Sequence, residues 1–285
     1  MRLIRSAIIV LFVLVCAATL HFHRTVKPDT AGPSISCSVS QIDAPCAVTE
    51  KELLNYVSAS DSKDGDLTGE VFIESISPFI EEGVSVVTFC VGDSDGNVSK
   101  KTLRLNYTDY EKPKLVLHDD LVFATGVPVN LSGAATVTDS FDGDITNRLY
   151  TLVSGDEAED GSEVLFKVTN SKGYTYEWKF KILRDASNKL SISNKISLKE
   201  NSLFVSCGDE KPDFKKLVSR ITVSGIDYDE GVLVVDEGKL NMNKSGTYDV
   251  WYYLYSPGSK KNRKLMSVER LIVVCEENKT EEKNK

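Results

Sequence analysis

The sequence predicts an all-β chain assembled from repeats, on three observations. First, Asp61-Ser62-Lys63-Asp64-Gly65-Asp66-Leu67-Thr68 returns as Asp139-Ser140-Phe141-Asp142-Gly143-Asp144-Ile145-Thr146, identical at six of eight positions and 78 residues further on. Self-similarity at a long fixed period marks an array of like units. Second, about 20 residues past each copy the chain alternates with period two, which reads as a strand with one buried face. Val87, Phe89 and Val91 carry the alternation in the first copy, and Val164, Phe166 and Val168 in the second. Third, helical periodicity is weak; only Glu50–Val57 has room for a turn or two.

In chain order, Arg2 and Arg5 precede an apolar run, and Ser6 to Phe22 gives 17 residues, the lower bound for a spanning helix. Residues 1–26 are therefore expected to be an uncleaved signal-anchor or a cleaved signal peptide, since a basic start and short apolar run also fit secretion. Either way, residues 25–285 are expected outside the cytoplasm, membrane-attached in a single pass or secreted. The first repeat is assigned to 33–110. Its alternating strand ends in the turn Asp93-Ser94-Asp95-Gly96-Asn97, and Thr102–Tyr107 follows as a last strand. The second, 111–185, turns at Asn170-Ser171-Lys172-Gly173 and closes with Tyr176–Leu183. A worn third copy fills 186–277: Ser245–Tyr255 matches the alternating strand, Ser256-Pro257-Gly258-Ser259 its turn, and Ser267–Val274 the last strand. The Asp-Gly-Asp turn is missing there, with Val218–Gly225 in the place of the strand next to it. Residues 278–285 continue a charged, low-complexity tail, expected to be disordered.

These repeats resemble the bacterial immunoglobulin-like domains found in tandem on surface proteins and also attached to a pesticidal crystal toxin. The likeness rests on Pro33 and Pro113 at the repeat starts and on the Asp-x-x-Asp-Gly-Asp-[Ile/Leu]-Thr turn. It also rests on Gly83, Gly161 and Gly246 before the alternating strand, and on Asp93, Gly96 and Asn97 in the turn after it. Gly161 is one place out of register. The resemblance spans about residues 33–277, densest in the first two copies, and implies a β-sandwich per copy. It implies no activity, because function on such a scaffold sits in grafted sites.

Composition narrows function. Against 34 Lys+Arg stand 42 Asp+Glu, a net charge of −8, the wrong sign for a nucleic-acid binder. His118 is the one histidine past residue 23, and no nucleophile–base constellation, P-loop or zinc motif occurs. No enzyme is expected.

Three groups of side chains remain as candidates. Asp61, Asp64 and Asp66, with their counterparts Asp139, Asp142 and Asp144, are oxygen-rich, and calcium takes six to eight oxygens. The competing reading is that each Asp caps its own turn while Gly takes a positive φ. In the third copy Tyr248, Val250, Tyr252 and Leu254 share one strand face, and Trp251, Tyr253 and Tyr255 share the other. That second row is expected to be exposed unless another strand or domain covers it, and it suits a sugar ring or a protein partner. Finally, Cys207 and Cys275 end strands expected to run parallel, which makes them the best disulfide candidate. Cys37, taken as inward, and Cys90, taken as outward, argue against a simple bridge with each other; Cys37–Cys46, Cys46–Cys90 and a free thiol stay open.

The expected function is a surface binding or adhesion module for a protein or carbohydrate ligand, three domains in a row forming a rod. The alternative is a non-catalytic spacer or accessory subunit of an envelope complex.

Overall fold

A computed structural model describes residues 8, 11–17, 30–155, 161–185 and 194–277. It is an all-β structure in two compact units, Met1–Asp109 and Tyr110–Lys285. Residues 11–17 are helical, and among the described residues no helix is long and apolar enough to cross a membrane. The rest of the expected 1–26 segment and the 278–285 tail lie outside the described residues.

The first unit contains β1 (Ser34–Cys37), β2 (Gln41–Ala44), a helix Glu50–Leu54, β3 (Val57–Asp61), β4 (Gly65–Asp66), β5 (Phe72–Ile76), β6 (Val84–Gly92) and β7 (Val98–Tyr107). One sheet has the order β1-β3-β4 and the other β2-β7-β6-β5, with β2 parallel to β7. The helix is held by a capping box, because Thr49 accepts from the Glu52 N–H while the Glu52 carboxylate accepts from the Thr49 N–H. The alternation in β6 has the effect its period demands: Val87, Phe89 and Val91 are fully buried, together with Ile42, Leu53 and Leu105.

The second unit begins with β8 (Lys114–Leu117), β9 (Val122–Ala124), β10 (Ala135–Asp139), β11 (Gly143–Asp144), β12 (Tyr150–Ser154), β13 (Glu163–Thr169), β14 (Thr175–Lys181) and β15 (Leu183–Asp185). It continues with β16 (Lys195–Leu198), β17 (Ser202–Ser206), β18 (Val218–Val223), β19 (Ile226–Asp227), β20 (Val232–Asp236), β21 (Gly246–Tyr255) and β22 (Leu265–Glu276). The strand pairing of the first unit recurs. Sheets β8-β10-β11 and β16-β18-β19 match β1-β3-β4, and β17-β22-β21-β20 matches β2-β7-β6-β5, again with its first two strands parallel. In the second repeat the corresponding pairs are β12-β13-β14 and the parallel β9/β15.

Gly65 and Gly143 sit at φ of 77° and 67°, where only glycine is unstrained, so they end the paired Asp turns. The third repeat keeps a hairpin at this place by other means. Ser224 and Gly225 both take positive φ, 54° and 78°, and make a two-residue turn between Val223 and Ile226.

Where the second repeat meets the third, the seam is covered by side chains. Leu271, Val273 and Cys275 of β22 face the third repeat's core. Ile272 faces the other way and is fully buried in the core built by Leu115, Leu117, Phe166 and Ile182, with Phe204 and Val274 packed beside it. The Leu117 N–H donates to Ser202 Oγ at 3.0 Å, and the Asn201 N–H donates to the Leu117 carbonyl at 2.8 Å. Lys112 pairs with Glu276. Arg270 is 2% exposed, yet its guanidinium finds acceptors: Asp249 Oδ1 at 2.7–2.8 Å and the Lys181 carbonyl at 3.0 Å. A buried charge is tolerated only with such partners.

Candidate functional site

The aromatic face is built on β21. Val250, Tyr252 and Leu254 point inward and are fully buried, and the Tyr252 hydroxyl donates to the Phe214 carbonyl at 2.9 Å. By alternation Trp251, Tyr253 and Tyr255 occupy the opposite face. Register then supplies their neighbours: Asp236 and Arg270 flank Trp251, Val234 and Val268 flank Tyr253, and Val232 and Leu265 flank Tyr255. The Tyr253 and Tyr255 ring centroids lie 6.4 Å apart. Burial pushes the Tyr253 phenol pKa up, with Asp236 and Tyr255 adding to it.

The expectation of an exposed row needs correction. All three aromatics are half-buried, since apolar residues line both sides of the column and the face continues into the seam at Arg270 and Ile272. What remains open is an apolar strip edged by Val234, which is 41% exposed. Beside it, a groove of about 580 Å³ runs between Leu233–Val235 and the Lys211–Lys215 segment.

The acidic turns of the two copies share one plan. The first carboxylate caps its own turn: Asp61 Oδ1 accepts from the Lys63 and Asp64 N–H groups, and Asp139 Oδ1 from those of Phe141 and Asp142. The second reaches across to the turn after the central strand. Asp64 accepts from the Ser94 N–H at 2.8 Å and hydroxyl at 2.7 Å; Asp142 accepts from the Ser171 N–H at 2.6 Å and from Arg148 at 2.8 Å. The third, Asp66 or Asp144, accepts from the N–H of Thr68 or Thr146 at 2.9 Å. The carboxylates therefore aim at peptide N–H groups within and between turns. Among the described residues no three His, Cys, Asp or Glu side chains gather as a metal cage.

The second copy adds a buried layer to this plan. Asp139 is 7% exposed and its Oδ2 faces the Tyr110 hydroxyl at 3.4 Å and Asn170 Nδ2 at 3.3 Å. Tyr110 also bonds Tyr176 at 2.7 Å and packs on Phe141.

These bonds carry a pH consequence. Hydrogen bonds from Ser94 hold the Asp64 carboxyl below the usual carboxylate range, and those from Thr68 and Thr146 do so for Asp66 and Asp144. For Asp142, burial pushes upward but the Ser171 and Arg148 bonds outweigh it. A carboxyl with a depressed folded pKa contributes stability above its unfolded value, near 3.9, and loses it as pH falls through the folded value. Urea midpoints are thus expected to hold from pH 7 to 5 and to fall below about pH 4. A midpoint that rises on acidification runs against this.

Cys207 and Cys275 share a core, but the structure shows no disulfide between them. The strands are parallel as expected, yet Cys275 lies opposite Val205, so the two cysteines are staggered by two residues. Burial, with Cys207 nearby, pushes the Cys275 thiol pKa up.

Arg270 and the groove beside β20 escaped the sequence reading. An arginine amid the outward positions of a last strand looks like surface charge, and Phe214 stands in no alternating run.

No protein-family model and no curated protein matches the chain. Among solved structures, it is similar over 86% of its length to the M60 catalytic domain with CBM51-1 and CBM51-2 domains of Clostridium perfringens ZmpB, at 14% identity and a TM-score of 0.20. It covers 31% of that chain. Similar values hold for the protocadherin GammaB4 extracellular domain, at 8% identity, 88% of this chain, 50% of that one and a TM-score of 0.21. Mouse cadherin-23 EC22–24 gives 9%, 86%, 99% and 0.18. At TM-scores this low the likenesses carry no argument about function.

Proposed function

We propose that this chain is a non-catalytic binding module: immunoglobulin-like β-sandwiches displayed outside the cytoplasm from an N-terminal attachment, with recognition on the third repeat. The observation that supports it is the half-open strip of Trp251, Tyr253, Tyr255 and Val234. Aromatic rings held rigid on a central strand, with tyrosine hydroxyls and Asp236 at hand, suit the apolar face of a sugar ring or an apolar protein surface. The acidic turns are structural on this reading, and calcium is not required for folding.

Trp251 reports directly on the strip. In a Trp178→Phe background it is the remaining tryptophan, and titration with soluble envelope polysaccharides or envelope proteins is expected to shift its emission saturably. Emission unchanged by every ligand, while the protein still joins an envelope complex, favours the alternative reading of a spacer subunit. The closed seam between the second and third repeats is the observation in favour of that alternative.

A further inference from the structure

We propose that β12 is a self-association edge, through which two copies of this chain pair antiparallel about Leu152. This goes beyond the proposed binding face and does not depend on it.

In each repeat the sheet that holds the central strand has one edge at β5, β12 or β20. Each carries an exposed apolar side chain at one shared register position, opposite the residue after the buried aromatic of the central strand. Phe72 lies opposite Cys90, Tyr150 opposite Lys167 and Val234 opposite Tyr253. Two of these edges are guarded. β5 contains Glu74, ion-paired to Lys100, and a register break between Ile73 and Ser75. β20 ends in Asp236 and is flanked by the Lys211–Lys215 segment, with Lys211 paired to Glu237. β12, Tyr-Thr-Leu-Val-Ser, has no charge, no proline and no register break. Tyr150 is 55% and Leu152 45% exposed. Among the described residues no strand pairs with its outer side. Natural sheets usually protect such an edge.

The ladder fixes which main-chain groups face outward. Along β13, the Ser162 carbonyl accepts from Ile182 at one end and the Asn170 N–H donates to Tyr174 at the other. Hydrogen-bonded pairs alternate along an antiparallel ladder, so even-numbered residues bond β14 and odd-numbered ones turn to β12. Their partners there are Tyr150, Leu152 and Ser154. Thr151 and Val153 therefore direct their N–H and C=O groups to the open edge.

A two-fold axis at Leu152 satisfies all of them. Thr151 of one chain meets Val153 of the other in two reciprocal pairs, giving four hydrogen bonds, and the two Leu152 side chains meet at a non-hydrogen-bonded position, where side chains come closest. A second copy is thus the occupant whose main-chain pattern and apolar position both fit, and β12 itself brings no charge to oppose it. Five-residue strands make a small contact, so the dimer is weak and reversible.

Sedimentation velocity of the full chain over a concentration series tests this. Wild type is expected to show a monomer–dimer equilibrium. Thr151→Pro removes an N–H with no backbone partner among the described residues, and Leu152→Lys adds a gatekeeper charge. Each is expected to raise the dissociation constant about tenfold or more while leaving thermal unfolding as in wild type. In Leu152→Cys, oxidised glutathione is expected to yield a dimer whose cross-linked peptide joins position 152 to position 152. The proposal is overturned if wild type stays monomeric at every concentration. A dimer unmoved by Leu152→Lys, or a strand supplied to this edge only by a different protein, overturns it equally.

Discussion

Replacing Arg270 with alanine is expected to lower the stability of the Tyr110–Lys285 unit by about 3 kcal/mol, the cost of breaking a buried, hydrogen-bonded charge pair. The side chain is 2% exposed and bonds Asp249 Oδ1 and the Lys181 carbonyl. Alanine leaves that carbonyl without its guanidinium donor and opens a cavity where the second repeat meets the third. Arg270→Met fills most of the space and is expected to cost less, since apolar isosteres of buried ion pairs are often tolerated. The two repeats are also expected to unfold together, because Ile272 of the third completes the core of the second. Urea denaturation followed by Trp178 and Trp251, one in each repeat, checks both points. Separate transitions for the two tryptophans, or an alanine variant as stable as wild type, would show the seam to be a loose contact.

Asp139→Ala is expected to cost a similar amount, about 3 kcal/mol, by removing the acceptor shared among two turn N–H groups, Tyr110 and Asn170. The same change at Asp61 is expected to cost less, because that residue is only half-buried and its Oδ1 caps the N–H groups of its own turn. Calcium is expected to leave both melting temperatures where they are. Stabilisation of wild type by calcium, lost in Asp139→Ala, would turn the reading of these carboxylates from caps to ligands.

Much of this was legible in the sequence. Period-two alternation located β6, β13 and β21 and their buried faces, since strand geometry sends alternate side chains to opposite sides. The repeated Asp-Gly-Asp turn announced itself because its chemistry is local: caps and a positive-φ glycine need no distant partner. The third repeat's Ser224-Gly225 turn was harder to see, as the same hairpin is reached with different residues. What stayed hidden depends on long-range register. Arg270 and Ile272 alternate like any surface positions, and only the packing of another repeat against them makes them buried. The disulfide expectation failed for a related reason, a two-residue stagger between parallel strands. The aromatic row was read on the correct face, but its half-burial comes from Val234 and Val268, which sequence spacing does not place beside Tyr253.

The most direct test of the binding reading is the affinity of the full chain for envelope glycans and envelope proteins, measured for wild type and for Trp251→Ala/Tyr253→Ala. Saturable binding by wild type, weakened tenfold or more in a variant that unfolds normally (about 1.4 kcal/mol or more), is the result this account predicts. Equal binding by the two proteins would contradict it and place recognition elsewhere on the chain.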